Sequence, residues 1–149
     1  MPRFAIREQL DVFEPRRLIR SAAAEIGFRH SCCLELAIVV SELVSNVIKY
    51  GIEGTLEFER LRDPVSGPGL VILATDIGPR FQNLELAVQD GYDDRGPIDP
   101  GSMLRRGGLG TGLGAVLRLS DSFAVDYATG SKTITVKRFV KRARFPARR

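Results

Sequence analysis

Hydrophobic positions along the chain switch between a period of two and a period near 3.6, and the switches mark out its elements. Phe4, Ile6, Leu10 and Val12 share one parity and predict a first strand. Pro15 suits the first turn of a helix running to about Ile26, with Leu18, Ala22 and Ile26 on one face and Gly27 ending it. A longer helix follows from a cap at Ser31 to about Tyr50, stopped by Gly51, with Leu36, Val40, Leu43, Val44 and Val47 forming its apolar stripe. Thr55 to Leu61 reads as a strand, and residues 63–69 as a turn-rich connection. Leu70 to Thr75 is a continuous apolar run, which predicts a central strand buried on both faces or nearly so.

Beyond it, residues 83–89 read as a short helix and 90–107 as a long loop rich in Asp, Gly and Pro. Loops of that length in a compact domain are usually functional or mobile. A helix is expected from about Gly112 to Ser120, then strands at Phe123 to Tyr127 and Lys132 to Phe139 across a turn at Thr129 and Gly130. Strand pairs mixed with long helices predict an α+β fold. The expected architecture is a two-layer α/β sandwich whose mixed, mostly antiparallel sheet carries its helices on one face. One domain is expected over residues 1–140, with a basic tail at 141–149.

Composition narrows the class. A chain of 149 residues with 44% hydrophobic and 27% charged residues is one folded domain, not a disordered segment. No apolar run approaches the roughly 18 residues of a membrane span, and the first residues lack the apolar core of a secretion signal. Adjacent Cys32 and Cys33 cannot staple distant segments, so buried free thiols in a reducing cytoplasm are expected. The lone His30 receives no role. Seven of the 22 basic residues fall in residues 137–149, which hold no acid. Residues 1–136 therefore carry 15 basic against 18 acidic residues, a net of −3, although the whole chain is +4. With no nucleic-acid motif and no interleaved aromatics beside it, the basic end reads as a solvated tail, and no nucleic acid or membrane is expected as partner.

Three segments carry the candidate chemistry. Glu42, Asn46 and Lys49 are spaced i, i+4, i+7 and share one helical stripe. An amide oxygen such as that of Asn46 suits Mg2+, and a carboxylate one turn away can act as a base toward a hydroxyl or water. Spacing alone favours an ordinary solvated helix edge, since exposed charges at this spacing are commonplace. Asp76 follows the apolar strand directly, with Ile77 and Gly78 after it. A carboxylate there can accept the exocyclic amine of adenine beside a close-approach glycine, or can simply make a turn. In the third segment Gly108, Gly110, Gly112 and Gly114 alternate with Leu109, Thr111 and Leu113 just before a helix, an arrangement that offers backbone N–H groups to phosphate. The run is neither a Lys-bearing P-loop nor a Rossmann fingerprint; a flexible hinge is the other reading.

In this order the segments resemble the Bergerat-type ATP-binding fold of the GHKL superfamily, over essentially residues 1–140. Glu42-x-x-x-Asn46 is similar to its N box, Asp76-Ile77-Gly78 to its first Gly box and Gly108 to Gly114 to its second. Residues 89–92 and 107–121 resemble in particular the small bacterial serine/threonine kinases that regulate anti-sigma pathways, of the stressosome switch-kinase (RsbT) type. The resemblance implies ATP and Mg2+ as cofactors and Glu42 as general base toward a partner's Ser or Thr. Asn46 would hold Mg2+, Lys49 would face the phosphate end, and Asp76 would read adenine beside Gly78. Gly108, Leu109, Gly110, Thr111, Gly112 and Leu113 would wrap the phosphates, and Thr133 would add a water-linked contact near adenine. It also implies a cytoplasmic kinase phosphorylating a STAS-domain antagonist in a partner-switching stress pathway, with a PP2C-type phosphatase or a sigma factor as further partners. The alternative is an anti-sigma factor that sequesters a sigma factor, with ATP as structural ligand. Two departures stand out: Arg80 replaces the second glycine of the first Gly box, and residues 94–106 lengthen the lid with Arg95, Arg105 and Arg106.

Overall fold

The computed structural model describes residues 2–50, 52–81, 84, 92–93, 96–97, 112–128 and 130–141. β1 (Arg3–Ile6) leads through a 3-10 turn (Gln9–Val12) into α1 (Phe13–Ile26) and α2 (His30–Tyr50). A hairpin of β2 (Gly54–Asp63) and β3 (Gly67–Asp76) follows, then a two-residue ladder of β4 (Tyr92–Asp93) with β5 (Gly96–Pro97). The short helix α3 (Leu113–Arg118) precedes a second hairpin, β6 (Ser122–Ala128) and β7 (Ser131–Phe139). The strand order is β1-β2-β3-β7-β6. The expected mixed sheet is antiparallel at each of these four pairings. Apart from Leu84, the helix predicted over 83–89 lies outside the described residues, as do residues 98–111 and the tail from 142.

Register explains the layering. Phe58, Ile72 and Val136 stand side by side on three strands, so their side chains point the same way. With Leu56, Leu70, Ala74 and Ile134 they meet Ile19 and Ala23 of α1 and Leu36, Val40, Leu43, Val44 and Val47 of α2. Both long helices therefore lie on one face, as expected. Gly54 permits the close approach: a Cβ there would sit 1.9 Å from Val47 Cγ1.

Four expectations change. The parity run at the start breaks after Ile6, because Asp11 Oδ2 accepts the backbone N–H groups of Arg7 (2.7 Å) and Glu8 (3.0 Å) and folds the chain into a turn. Leu10 is thereby exposed, whereas Val12 enters the core. On α1 the centre of the buried face is Pro15, Ile19 and Ala23, with Leu18, Ala22 and Ile26 flanking it. α2 starts one residue ahead of the expected cap Ser31. β3 is central, but it alternates: Leu70, Ile72, Ala74 and Asp76 are buried, and Val71, Leu73 and Thr75 are half-buried on the face turned away from the two long helices. Its apolar run reflects one covered face and one crowded by neighbouring strands.

Gly27 ends α1 in the left-handed region at φ 107°, a conformation glycine adopts without strain. Cys32 and Cys33 are free and buried, as expected. By length and composition α2 could cross a membrane, with a mean hydropathy of 1.7 over its best window, yet 72% of that window is buried inside the fold. Its apolarity is that of a core helix touched by sheet, α1 and α3.

Candidate functional site

α2 carries the first two site residues because it is covered on most sides. Residues 41–47 are all buried, polar and apolar alike. Glu42 is 1% exposed and Asn46 3%. An i, i+4 pair of polar side chains inside a core helix is not a solvated edge, so that reading falls. Among the described residues Asn46 Oδ1 accepts no hydrogen bond. A buried orphan carbonyl oxygen costs about 1–3 kcal/mol. Such an atom fits a hard cation that coordinates through oxygen. Lys49, one turn on, is exposed at the end of the helix, so the three-residue stripe runs from core to surface.

Asp76 closes β3 at 2% exposure. Its Oδ1 accepts the Gly78 N–H at 2.7 Å, an Asx-type turn that pins the loop. The Ile77 N–H bonds Ile52 O at 3.0 Å and ties the same loop to the α2–β2 connection. Ile77 itself is half exposed beside the carboxylate.

The structure separates Thr133 from this group. Thr133 pairs with Thr75 in the β3–β7 register, and their hydroxyls lie 3.1 Å apart on the face away from the helices. The residue opposite Asp76 is Lys132. Lys132 is 1% exposed, with Nζ 3.7 Å from Asp76 Oδ2, 3.3 Å from Pro79 O, and 4.4 Å from the centre of the Phe81 ring. Sequence reasoning missed it, although the signal was present: Lys132 shares parity with Ile134 and Val136, so it is a lysine on the apolar face of a strand. Arg80, which stands where the first Gly box has its second glycine, is exposed and stacks over Tyr127 of β6 with Cζ 4.5 Å from the ring centre. The cation that meets Asp76 is Lys132.

At the start of α3, Gly112 has φ 68° and ψ −150°, a conformation essentially restricted to glycine. Leu113, Gly114, Ala115 and Val116 behind it are buried, and α3 packs on α2. Leu113 thus anchors the helix in the core. The remaining members of the glycine run, Gly108, Leu109, Gly110 and Thr111, lie outside the described residues.

A buried carboxylate and amide one turn apart on a core helix, with a second carboxylate at the end of the central strand, make up the candidate site. Residues 8–138 match the family described as histidine kinase-like ATPase domain. The serine/threonine-protein kinase RsbT of Bacillus subtilis (strain 168) is 30% identical over 128 residues, covering 86% of this chain and 87% of that protein. Among solved structures, the SiaB–SiaC complex from Pseudomonas aeruginosa contains a chain that matches with a TM-score of 0.55 at 16% identity, over 92% of this chain and 88% of that one. The RsbU and RsbW domains of a Mycobacterium tuberculosis protein match with a TM-score of 0.52 at 17% identity, over 97% of this chain and 34% of that one. These last two are likenesses of fold. Site, sequence and fold agree: the chain belongs to the histidine kinase-like ATPase family, with the GHKL-type fold, as a relative of the serine/threonine kinase RsbT.

Proposed function

We propose that this protein is a cytoplasmic, ATP-dependent serine/threonine kinase that phosphorylates a STAS-domain antagonist in a bacterial partner-switching pathway. The observation that carries the reading is Asn46, whose buried Oδ1 accepts no hydrogen bond among the described residues, one turn from the equally buried Glu42. Asn46 would hold Mg2+, which when bound neutralises charge on the phosphates. Asp76 accepts the adenine amine and Gly78 lies beside the ring. Lys49 faces the phosphate end, and Gly108 to Leu113 supply backbone N–H groups to the phosphates.

Glu42 is the general base. It takes the proton of the partner's Ser or Thr hydroxyl as that oxygen bonds to the γ-phosphorus, while the bond to the β-phosphate oxygen breaks and ADP leaves. Burial of Glu42 keeps competing water from the reacting hydroxyl. Positioning and electrostatics provide the remaining acceleration. The similarity to RsbT supports the kinase reading over sequestration of a sigma factor.

The test is incubation with a STAS protein encoded by a neighbouring gene and γ-labelled ATP. Label should pass to the STAS protein with the wild type and not with Glu42→Ala. Absence of transfer by the wild type, joined to stable co-purification with a sigma factor, would establish the sequestering role instead. A PP2C-type phosphatase from the same neighbourhood should remove the label.

A further inference from the structure

Lys132 is an unusual residue to find buried on the apolar face of a strand. It lies on the inward face of β7, in line with Ile134 and Val136, where an apolar side chain would pack without desolvating a charge. Its three partners, Asp76 Oδ2, the Pro79 carbonyl and the Phe81 ring, all belong to the six residues that begin with the base-reading aspartate. The lysine is therefore built into the base pocket, not into the core at large.

The chemistry of the pair differs from that of the aspartate alone. A carboxylate only accepts hydrogen bonds, and an ammonium only donates. A floor made of Asp76 alone would favour the adenine amine and repel guanine O6. With the ammonium 3.7 Å from the carboxylate, the floor presents an acceptor beside a donor. Both purines display the complement on their Watson–Crick edge: adenine has its N6 amine next to N1, and guanine has N1–H next to O6.

We propose that Lys132 is a specificity-determining residue of the nucleotide site, forming with Asp76 a two-point reader that accepts guanine as well as adenine. The proposal rests on the reading of Asp76 as the base-binding carboxylate. Adenine donates its N6–H to Asp76 and accepts at N1 from Lys132. Guanine donates N1–H to Asp76 and accepts at O6 from Lys132. Of the three ammonium donors, one is committed to the Pro79 carbonyl, which leaves others to turn toward the base.

Calorimetric titration of the full chain with Mg·ATP and with Mg·GTP tests this. The wild type should bind both, with dissociation constants within about tenfold of each other (about 1.4 kcal/mol). Lys132→Met, neutral and unable to donate, should shift the ratio toward ATP by about tenfold or more, and Lys132→Arg should hold it near the wild-type value. A wild type that prefers ATP by more than about a hundredfold overturns the proposal without any variant, whether or not Lys132→Met folds. A Lys132→Met ratio equal to that of the wild type overturns it as well. In both cases ATP binding itself survives, whereas a wild type that binds neither nucleotide overturns the ATP reading and this inference together.

Discussion

At the scale of single residues, the site is defined by side chains whose burial makes no sense for stability alone. Asn46 is the clearest. Its orphan oxygen costs the folded state about 1–3 kcal/mol, so Asn46→Leu, of similar size, should melt no lower than the wild type without ligand. The same variant should lose the rise in Tm that Mg·ATP gives the wild type, which is about 2.7 kcal/mol of stabilisation at a hundred times Kd. A differential scanning experiment checks both halves, and a variant that keeps the full ligand shift would remove Asn46 from the metal site. The placement of Glu42 and Asn46 on one stripe was legible from their spacing, because a helix keeps i and i+4 on one face whatever surrounds it; their burial was not. Lys132 shares parity with the apolar Ile134 and Val136, but a lysine near the start of a strand ordinarily reads as a solvated end, so its place on the covered face went unread. Thr133, one residue away, which the resemblance puts near adenine, lies on the opposite face.

At the scale of elements, tight joints fix where the site residues sit. Gly54 lets β2 approach α2 one residue from Asn46, and an added Cβ would meet Val47 Cγ1 at 1.9 Å. Gly54→Ala should therefore cost about 1–3 kcal/mol in urea unfolding and also weaken nucleotide binding, because α2 must shift to make room. Unchanged stability would show that the helix and strand are not in contact there. The turn between β1 and α1 depends on a carboxylate. The Arg7 and Glu8 backbone N–H groups, the first more strongly, hold Asp11 below its ordinary pKa. A depressed folded pKa adds stability that is complete above the unfolded value and lost as pH falls through the folded one. Stability should thus drop below about pH 4, and Asp11→Asn should flatten that limb in denaturant midpoints measured against pH. A variant with the wild-type acid limb would contradict this. The short first strand was hidden from sequence reasoning for the same reason: parity continued to Val12, but Ile6 already faces Gly54, where β2 begins, and Asp11 takes the next two backbone amides.

On the scale of the whole molecule, both long helices cover one sheet face, among the described residues no helix lies on the other, and the candidate residues gather at one end of the covered face. Asp76 ends the central strand there, and α2 lays Glu42 and Asn46 along the core side. This two-layer arrangement was legible because hairpin-forming strands and long amphipathic helices leave few other ways to bury their apolar faces. The exact pairing was less so, since an apolar run such as Leu70 to Thr75 does not say how many faces are covered. The charge distribution also belongs to this scale: of the basic residues counted in 137–149, Arg138 pairs with Glu35 and Lys141 with Asp121, so part of that charge is neutralised within the fold and the overall +4 says little about the site. The central claim is that Glu42 acts on the partner's hydroxyl and not on the nucleotide. The most direct measurement is the single-turnover rate of phosphoryl transfer to the STAS protein at saturating Mg·ATP, for the wild type and for Glu42→Gln. The predicted result is a rate about 100- to 10,000-fold lower in the variant with Mg·ATP affinity retained. Transfer by Glu42→Gln at the wild-type rate would contradict the assignment.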